Sequence, residues 1–388
     1  MNILMVGTDD TVFKENQSIG NTIIRHSIYL KTLRTIEPES TITSFVFTRY
    51  KYAPYSHQDG LRYYPIKTPR VQFFPICGFF KALRIRKHLK VNVITSQNPF
   101  EAGLLGIALK WLFKAPLEIQ VHLNFFSPYW LFEHRIVNQI RLWLARYVLT
   151  RANIIRAVSS TIRCNLVDKW GIHNDRISLI PIPAIYDPNR QIGCLFEKDI
   201  DQQFNIILFV GRLCYPKNLP GLFEIIQNVQ ESCPQSVFII IGNGPLREYA
   251  EYNAQLLGSN SIKVLGNLEH EQVKFWYHRA SVLVLPSLYE GFGRVLVESY
   301  ISETPAVATK CGGPEDIIIN GETGFLTAVE DLEEFSQRVL WLLEHPLEAK
   351  QMGKRGREYV MKEFDPKVLT SRMVTQWQNL AISNKKLV

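Results

Sequence analysis

Ser281-Val-Leu-Val-Leu-Pro-Ser-Leu-Tyr-Glu-Gly-Phe-Gly-Arg-Val-Leu-Val-Glu-Ser-Tyr300 contains a continuous apolar run, a glycine loop and the opening of an amphipathic segment. An unbroken run such as Val282–Leu285 suits a strand covered on both faces, which is the environment of a parallel sheet. Pro286 ends the run, and Gly293 stands just before a stretch with helical spacing. The loop between them holds Glu290 between Tyr289 and Gly291. The two glycines let a backbone approach closely, and the start of the following helix offers unpaired N–H groups suited to an anion.

The same punctuation recurs along the chain. In the first half, strands are expected at Asn2–Val6, Ile42–Phe47, Val91–Thr95, Leu117–His122, Ile154–Val158 and Ile177–Pro181, with helical patterns at Thr22–Leu33, Glu101–Phe113, Glu133–Thr150 and Ser160–Lys169. The pattern restarts near residue 205. Strands follow at Ile206–Val210, Val237–Ile241, Ile262–Leu265, Val282–Leu285 and Ala306–Thr309, and helices at Leu219–Glu231, Leu246–Leu257, His270–Arg279, Arg294–Ser302 and Asp331–Glu344. Alternation of this kind predicts an α/β chain with two Rossmann-like, doubly wound parallel sheets facing across a cleft. The irregular stretch Pro183–Phe204 reads as the linker. The expected domains are 1–190, 191–365 and a C-terminal helix over 366–388 that returns to the first domain.

In doubly wound sheets, ligands bind beyond the carboxyl ends of the strands, and candidate residues sit there. Glu298 interrupts the apolar run Val295-Leu-Val297, where a carboxylate is costly without a partner. The hydroxyls of a ribose are one such partner. Arg212 and Lys217 follow the strand Ile206–Val210 and could neutralise a diphosphate, whose departure needs fixed positive charge. Gly242-Asn-Gly244-Pro245 follows another strand and reads equally as a ligand turn or a plain one. In Cys311-Gly-Gly-Pro-Glu315, Pro314 and Glu315 are explained locally, as a helix start and its first-turn acid.

Taken together, Gly211-Arg212-Leu213 with Lys217-Asn218, Gly242-x-Gly244-Pro245, Pro286-Ser287-x-x-Glu290-Gly-Phe-Gly293-x-x-x-x-Glu298 and Gly312-Gly313 resemble the retaining glycosyltransferases of family 4, whose fold is called GT-B. The resemblance covers nearly all of residues 205–345. It implies donor-binding roles for Gly20, Arg212, Lys217, Gly244, Gly291, Phe292, Gly293, Val295, Leu296 and Glu298. Within that set Arg212 and Lys217 hold the diphosphate, the Gly-Phe-Gly loop offers main-chain N–H groups, and Glu298 holds the ribose. It also implies catalytic roles for Glu290, on the transferred sugar, and for His122, at the end of the strand Leu117–His122. Two positions depart from the pattern. Leu123 follows His122 where relatives often carry Asp, and Arg294 stands where many carry an apolar residue. The Asp199-Ile-Asp201 and Asp9-Asp10 pairs look like metal ligands of another glycosyltransferase fold, but no metal or cofactor is expected here.

Residues 1–190 hold 25 Lys+Arg against 12 Asp+Glu, a balance of +13, and the remainder sums to −5. A basic first half attracts an anionic partner. Phe79-Phe-Lys-Ala-Leu-Arg-Ile-Arg-Lys-His-Leu-Lys90 interleaves aromatics with cations. Such a segment suits an anionic lipid surface or serves as a solvated helix face. If helical, it would gather Leu83, Arg86, Lys87 and Lys90 on one face. The stretch from His122 to Trp130, with Phe125, Phe126 and Tyr129, would line an acceptor groove or pack. No nucleic-acid-reading module is present. The six cysteines lack metal-ligand spacing and read as reduced, partly buried thiols. No segment reads as a membrane span or a secretory signal.

The expected activity is therefore transfer of a hexosyl unit from a nucleoside-diphosphate sugar to a saccharide or lipid-linked saccharide acceptor with anomeric retention, in polysaccharide or glycolipid assembly. The expected location is the cytoplasm, peripheral to the inner membrane face. The alternatives are a nucleotide-sugar isomerase or hydrolase on the same fold, and a non-catalytic nucleotide-binding protein.

Overall fold

A computed structural model of the chain describes residues 1–13, 21–183, 205–258 and 261–385. In chain order the elements begin with β1 (Asn2–Gly7), α1 (Asn21–Arg34), β2 (Thr41–Thr48), β3 (Tyr55–Gln58), β4 (Leu61–Lys67), α2 (Phe74–Ile85), β5 (Val93–Ser96), α3 (Glu101–Phe113) and β6 (Leu117–Val121). They continue with α4 (Pro128–Glu133), α5 (Arg135–Arg151), β7 (Ile154–Ala157), α6 (Ser160–Trp170) and β8 (Ile177–Leu179). The expected linker, Pro183–Phe204, lies outside the described residues but for Pro183; beyond it come β9 (Asn205–Val210), α7 (Leu219–Ser232), β10 (Ser236–Ile241), α8 (Arg247–Gly258), β11 (Ile262–Gly266), α9 (His270–Arg279), β12 (Val282–Leu285), α10 (Arg294–Ile301), β13 (Ala306–Thr309) and β14 (Gly324–Thr327). Three helices close the chain: α11 (Leu332–Glu344), α12 (Pro346–Glu363) and α13 (Pro366–Lys385).

The chain divides into two units. One comprises Met1–Phe125, His134–Ile185 and Pro366–Val388; the other comprises Phe126–Glu133 and Tyr186–Asp365. The short α4, inside the first half of the sequence, thus groups with the second unit, where the Tyr289 hydroxyl donates to Glu133 at 2.6 Å.

The first unit is built on an eight-stranded sheet ordered β3-β4-β2-β1-β5-β6-β7-β8. All neighbours run parallel except β3, which pairs antiparallel with β4. Neither of these two strands is expected from the sequence. Pro65 lies inside β4, and a proline normally argues against a paired strand. Its missing N–H is tolerated here, and Pro65 still aligns opposite Val46 of β2. The last helix, α13, packs on α1 of the same unit, where Trp377 is fully buried against Tyr29 with ring centroids 5.3 Å apart.

The second unit has six parallel strands ordered β11-β10-β9-β12-β13-β14. The chain steps from β9 outward to β11, then returns beside β9 as β12 and steps the other way. β9 and β12 therefore flank the topological switch point, where the loops beyond the strand ends diverge and leave a crevice. The strands are buried on both sides: Ile207, Phe209, Phe238, Ile240 and Val284 form one core with Leu222 and Ile226 of α7 and Phe335 and Val339 of α11. Pro346 starts α12 and Pro366 starts α13, each positioned where a helix tolerates a missing N–H. Among the described residues no helix is long and apolar enough to cross a membrane.

Candidate active site

The switch point of the second unit brings together four loops that are far apart in sequence. Main-chain bonds hold them in register. Leu213 N–H donates to Asn243 O at 3.0 Å, Leu288 N–H to Pro216 O at 2.8 Å, and Glu290 N–H to Cys311 O at 3.3 Å. The glycines in these loops are required first by the protein itself. A Cβ on Gly244 would stand 2.3 Å from Leu213 O, and one on Gly313 would stand 2.3 Å from Phe292 O. Gly242 has φ +140° and lies against Gly211 O. Backbone crosses backbone at these points, so the Gly-x-Gly and Gly-Gly signals report loop-on-loop packing.

Lys217 and Glu290 form an ion pair in this cluster, their side chains 15% and 14% exposed. Ser287, fully buried, donates its hydroxyl to the same Glu290 oxygen at 3.0 Å. Lys217 ends a single 3₁₀ turn after Pro216. Asn218 then takes a left-handed conformation at φ 51° and caps α7 through the Gly221 N–H at 3.2 Å. This sharp reversal lays the lysine stem across Gly211, whose hypothetical Cβ would meet Lys217 Cε at 3.2 Å. Arg212 is exposed.

Glu298 lies on α10, 18% exposed, with both carboxylate oxygens engaged. Arg294, one turn earlier, donates to Oε1 at 2.8 Å, and the Tyr277 hydroxyl donates to Oε2 at 3.1 Å. Tyr277 is buried on α9, and burial together with the Glu298 charge pushes its phenol well above its ordinary range, so it stays a donor. Sequence reasoning missed Tyr277 and Ser287. The only signal for Ser287 was its place three residues before Glu290, and nothing in the sequence singled out Tyr277.

The glycine loop enters α10 through Gly293, whose φ of +94° favours glycine. Two of the residues expected to bind the donor, Phe292 and Leu296, are placed so that their side chains face inward. Phe292 is buried edge-on to Phe364 at 5.3 Å. Leu296 is fully buried, and its N–H is taken by Gly293 O at 2.9 Å. Val295 is half-buried. Leu296 therefore turns its side chain to the core and its N–H to Gly293. Phe292 is left with its main chain alone. Gly291 is buried in the same loop. Gly20 and the Asp199-Ile-Asp201 motif lie outside the described residues.

His122 belongs to the first unit, one residue past β6. Its Nε2 lies 3.0 Å from Gln120 Oε1. Burial, with Arg156 and Arg25 nearby, holds the imidazole well below its ordinary pKa, so the ring is neutral. The aromatic stretch beyond it mostly packs: Phe125 is fully buried and stacks on Trp170 at 5.3 Å, and Trp130 is buried. Tyr129 stays half-buried and donates to Glu330 within the second unit. Asp9 accepts from Thr22 at 2.5 Å and from Thr11 at 2.7 Å, a local role. Glu315 accepts from Gly312 N–H at 3.0 Å and secures the turn after β13. Cys77 and Cys164 are exposed, which differs from the expectation of partly buried thiols.

Known proteins resemble this chain in sequence and in fold. The family described as glycosyl transferases group 1 matches residues 195–359, and glycosyltransferase family 4 matches residues 42–183. A 2-deoxystreptamine N-acetyl-D-glucosaminyltransferase of Niallia circulans is 29% identical over 161 residues. That alignment spans 41% of this chain and 41% of the relative. Among solved structures, sucrose-phosphate synthase from Thermosynechococcus elongatus superposes with a TM-score of 0.83 at 21% identity, covering 98% of this chain and 99% of the other. HepE of Anabaena, solved in complex with UDP-glucose, gives a TM-score of 0.72 at 18% identity, covering 98% and 99%. With two parallel-sheet Rossmann-like units, the GT-B fold across nearly the whole chain and family matches on both halves, the chain belongs to the group 1 glycosyl transferases of family 4.

Proposed function

We propose that this protein transfers a hexosyl unit from a nucleoside-diphosphate sugar to an acceptor hydroxyl, with retention at the anomeric carbon. The observation that carries the reading is the Lys217–Glu290 pair at the switch point of the second unit, with Glu298 anchored on α10 in the same set of loops. A cation and a sugar-binding carboxylate held together there suit a diphosphate and the sugar attached to it. Arg212 and Lys217 stabilise the departing diphosphate, the Gly291–Gly293 main chain and the first turn of α10 assist them, and Glu298 binds the ribose. Glu290 and His122 contact the transferred sugar. The leaving phosphate accepts the acceptor proton on the face from which the sugar departs, so no protein nucleophile is needed. Because these side chains supply the positive charge, neither a metal nor another cofactor is required. Added chelator should leave the rate unchanged.

The donor class gains support from HepE, which was solved with UDP-glucose. The test is a thermal-shift panel of uridine, guanosine and adenosine diphosphates, followed by a diphosphate-release assay with and without saccharide acceptors. A ligand selective for the folded state raises the melting point. Release that is equally fast without any acceptor would favour a hydrolase or isomerase. Nucleotide binding with no release under any acceptor would favour a binding protein.

A peripheral membrane location, at the cytoplasmic face and toward a lipid-linked saccharide, draws on α2. Phe74, Gly78 and Ala82 face the core, while Phe73, Ile76 and Phe80 are 49%, 57% and 58% exposed. The helix stops at Ile85 and Arg86–His88 form a 3₁₀ turn, so the one face that a helix through Lys90 would have made is not formed. Exposed Arg84, Arg86, Lys87 and Lys90 border the apolar stripe. Aromatic side chains beside cations partition to anionic interfaces. Co-sedimentation with phosphatidylglycerol vesicles, lost on Phe80→Ser with Lys87→Glu, tests it.

A further inference from the structure

The first unit contains two buried ionic side chains that do not pair with each other. Glu118 is fully buried on β6 and Arg156 is 2% exposed on β7. Burying a charge in a sheet is costly unless its hydrogen bonds are met. Here they are met through one neutral residue, Gln120. Side chains alternate along a strand, so Glu118, Gln120 and His122 project to the same side of the sheet. Register completes the set: Thr95 of β5 aligns with Glu118, and Arg156 of β7 aligns with Gln120.

The chain of hydrogen bonds has a fixed direction. Glu118 accepts from Trp377 Nε1 at 2.9 Å, from Thr95 Oγ1 at 2.6 Å and from Gln376. The Gln120 amide nitrogen donates to Thr95 Oγ1 at 2.9 Å and to Glu118 at 3.4 Å. Arg156 can only donate. Its Nη1 reaches Gln120 Oε1 at 3.1 Å, while its Nε and Nη2 reach the Ile180 and Pro181 carbonyls at 2.8 and 2.7 Å. An amide nitrogen facing arginine would set donor against donor, so the amide has one orientation. Its oxygen is therefore what meets His122 Nε2 at 3.0 Å.

We infer that Gln120 is a positioning residue that fixes His122 as the Nε2–H tautomer, leaving Nδ1 as the hydrogen-bond acceptor of a neutral ring. The signal originates in α13: Trp377 and Gln376 orient Glu118, Glu118 and Arg156 orient Gln120, and Gln120 orients His122. Resting on the reading of His122 as a sugar contact, this gives the contact a chemical class. The ring accepts a hydrogen bond from a substrate hydroxyl or N–H and does not donate to a carbonyl or phosphate oxygen through Nδ1. The charged groups around it are Arg156 on β7 and Arg25 on α1, with Glu118 four positions earlier, on β6. Both arginines oppose a positive ring.

Long-range nitrogen–proton NMR on protein labelled at its nine histidines, with His122 assigned by the spectrum missing in His122→Gln, reads the tautomer directly in the free protein. The expected wild-type result is a protonated Nε2 and a bare Nδ1, unchanged across the neutral pH range. A proton on Nδ1 would overturn the inference without any variant. Gln120→Met removes the acceptor and should give a tautomer mixture, with kcat about tenfold to a hundredfold lower and nucleotide affinity unchanged. Gln120→Glu keeps an acceptor and should keep the tautomer. Its negative charge raises the ring pKa, so transfer should gain an acid limb near neutrality as protonation removes the Nδ1 lone pair. A wild-type tautomer in Gln120→Met would overturn the lock. The expected tautomer pattern with transfer unaffected even in His122→Gln would leave the lock standing and overturn the sugar-contact role.

Discussion

Arg294 and Tyr277 grip opposite oxygens of Glu298, at 2.8 and 3.1 Å, so the carboxylate proposed to hold a ribose is already oriented by the protein. The two partners differ in exposure. Arg294 is 34% exposed and can turn to water, whereas Tyr277 is 2% exposed and cannot.

Glu298→Ala should therefore do two separable things. Nucleotide affinity should fall about tenfold to a hundredfold. Stability should fall by about 1–3 kcal/mol because the Tyr277 hydroxyl loses its acceptor while buried. Adding Tyr277→Phe should restore most of the stability and none of the affinity. Denaturation and nucleotide titration on the same three proteins check both, and a double variant no more stable than Glu298→Ala would contradict the assignment.

The Lys217–Glu290 pair makes a related prediction with a different sign pattern. Lys217→Met strands a carboxylate that is only 14% exposed, at a cost of about 1–3 kcal/mol. Lys217→Met with Glu290→Gln removes both charges and should be more stable than the single variant. Activity should fall by about a hundredfold or more in either protein, since a fixed charge at the leaving group is gone. Equal stability of single and double variants would show that the pair is not coupled.

Two glycines of the second unit offer a matched contrast. Gly313→Ala places a methyl 2.3 Å from Phe292 O, so the loop entering α10 must move. The expected cost is about 1–3 kcal/mol with loss of nucleotide binding. Gly321 has φ +80° but nothing within 4 Å of its would-be Cβ. Gly321→Ala should cost about 1 kcal/mol from backbone strain alone and leave binding intact. Nucleotide titration with thermal melts distinguishes them.

Stability should decline in acid partly through one buried histidine. His26 is 3% exposed and lies 3.1 Å from the Tyr63 hydroxyl. Burial, with Arg25 beside it, pulls it down from 6.5 to about 3. Above pH 6.5 the ring is neutral in both folded and unfolded chains and contributes no slope. As pH falls from about 6.5 toward 3 the unfolded chain takes up a proton that the folded chain refuses. Stability is then lost at about 1.4 kcal/mol per pH unit. His122, also held below its ordinary range by burial and by Arg156 and Arg25, adds to the loss of stability below pH 6.5. Chemical denaturation across that range should give His26→Gln a slope shallower by about one proton, and an unchanged slope would refute the reading.

Most strands and helices were legible because apolar periodicity and glycine or proline punctuation are local properties. Val282–Leu285, Ala306–Thr309 and Glu101–Phe113 fall where the pattern places them. The β3–β4 pair was not, because Leu61–Lys67 is interrupted by Pro65 and takes its place from neighbours. The helix expected over Glu133–Thr150 is α5, Arg135–Arg151, whereas the short α4 before it, Pro128–Glu133, carries too few residues to show a period. In the second unit, the sequence pointed to Arg212, Lys217, Glu290 and Glu298, all charges at the end of a strand or inside an apolar run.

By itself, then, the sequence determined the two α/β repeats and the charged residues marking the strand-end loops, since hydrophobic period and chain reversal need only near neighbours. Tertiary structure decided what those residues do. Gly244 and Gly313 are glycines because another backbone crosses them. Leu296 is core, and Tyr277 becomes the anchor of Glu298. Whether a side chain meets a hydrogen-bond partner, a wall of hydrocarbon or open space depends on residues tens to hundreds of positions away. Gln376 and Trp377 on Glu118 are the extreme case, and no local pattern encodes that meeting.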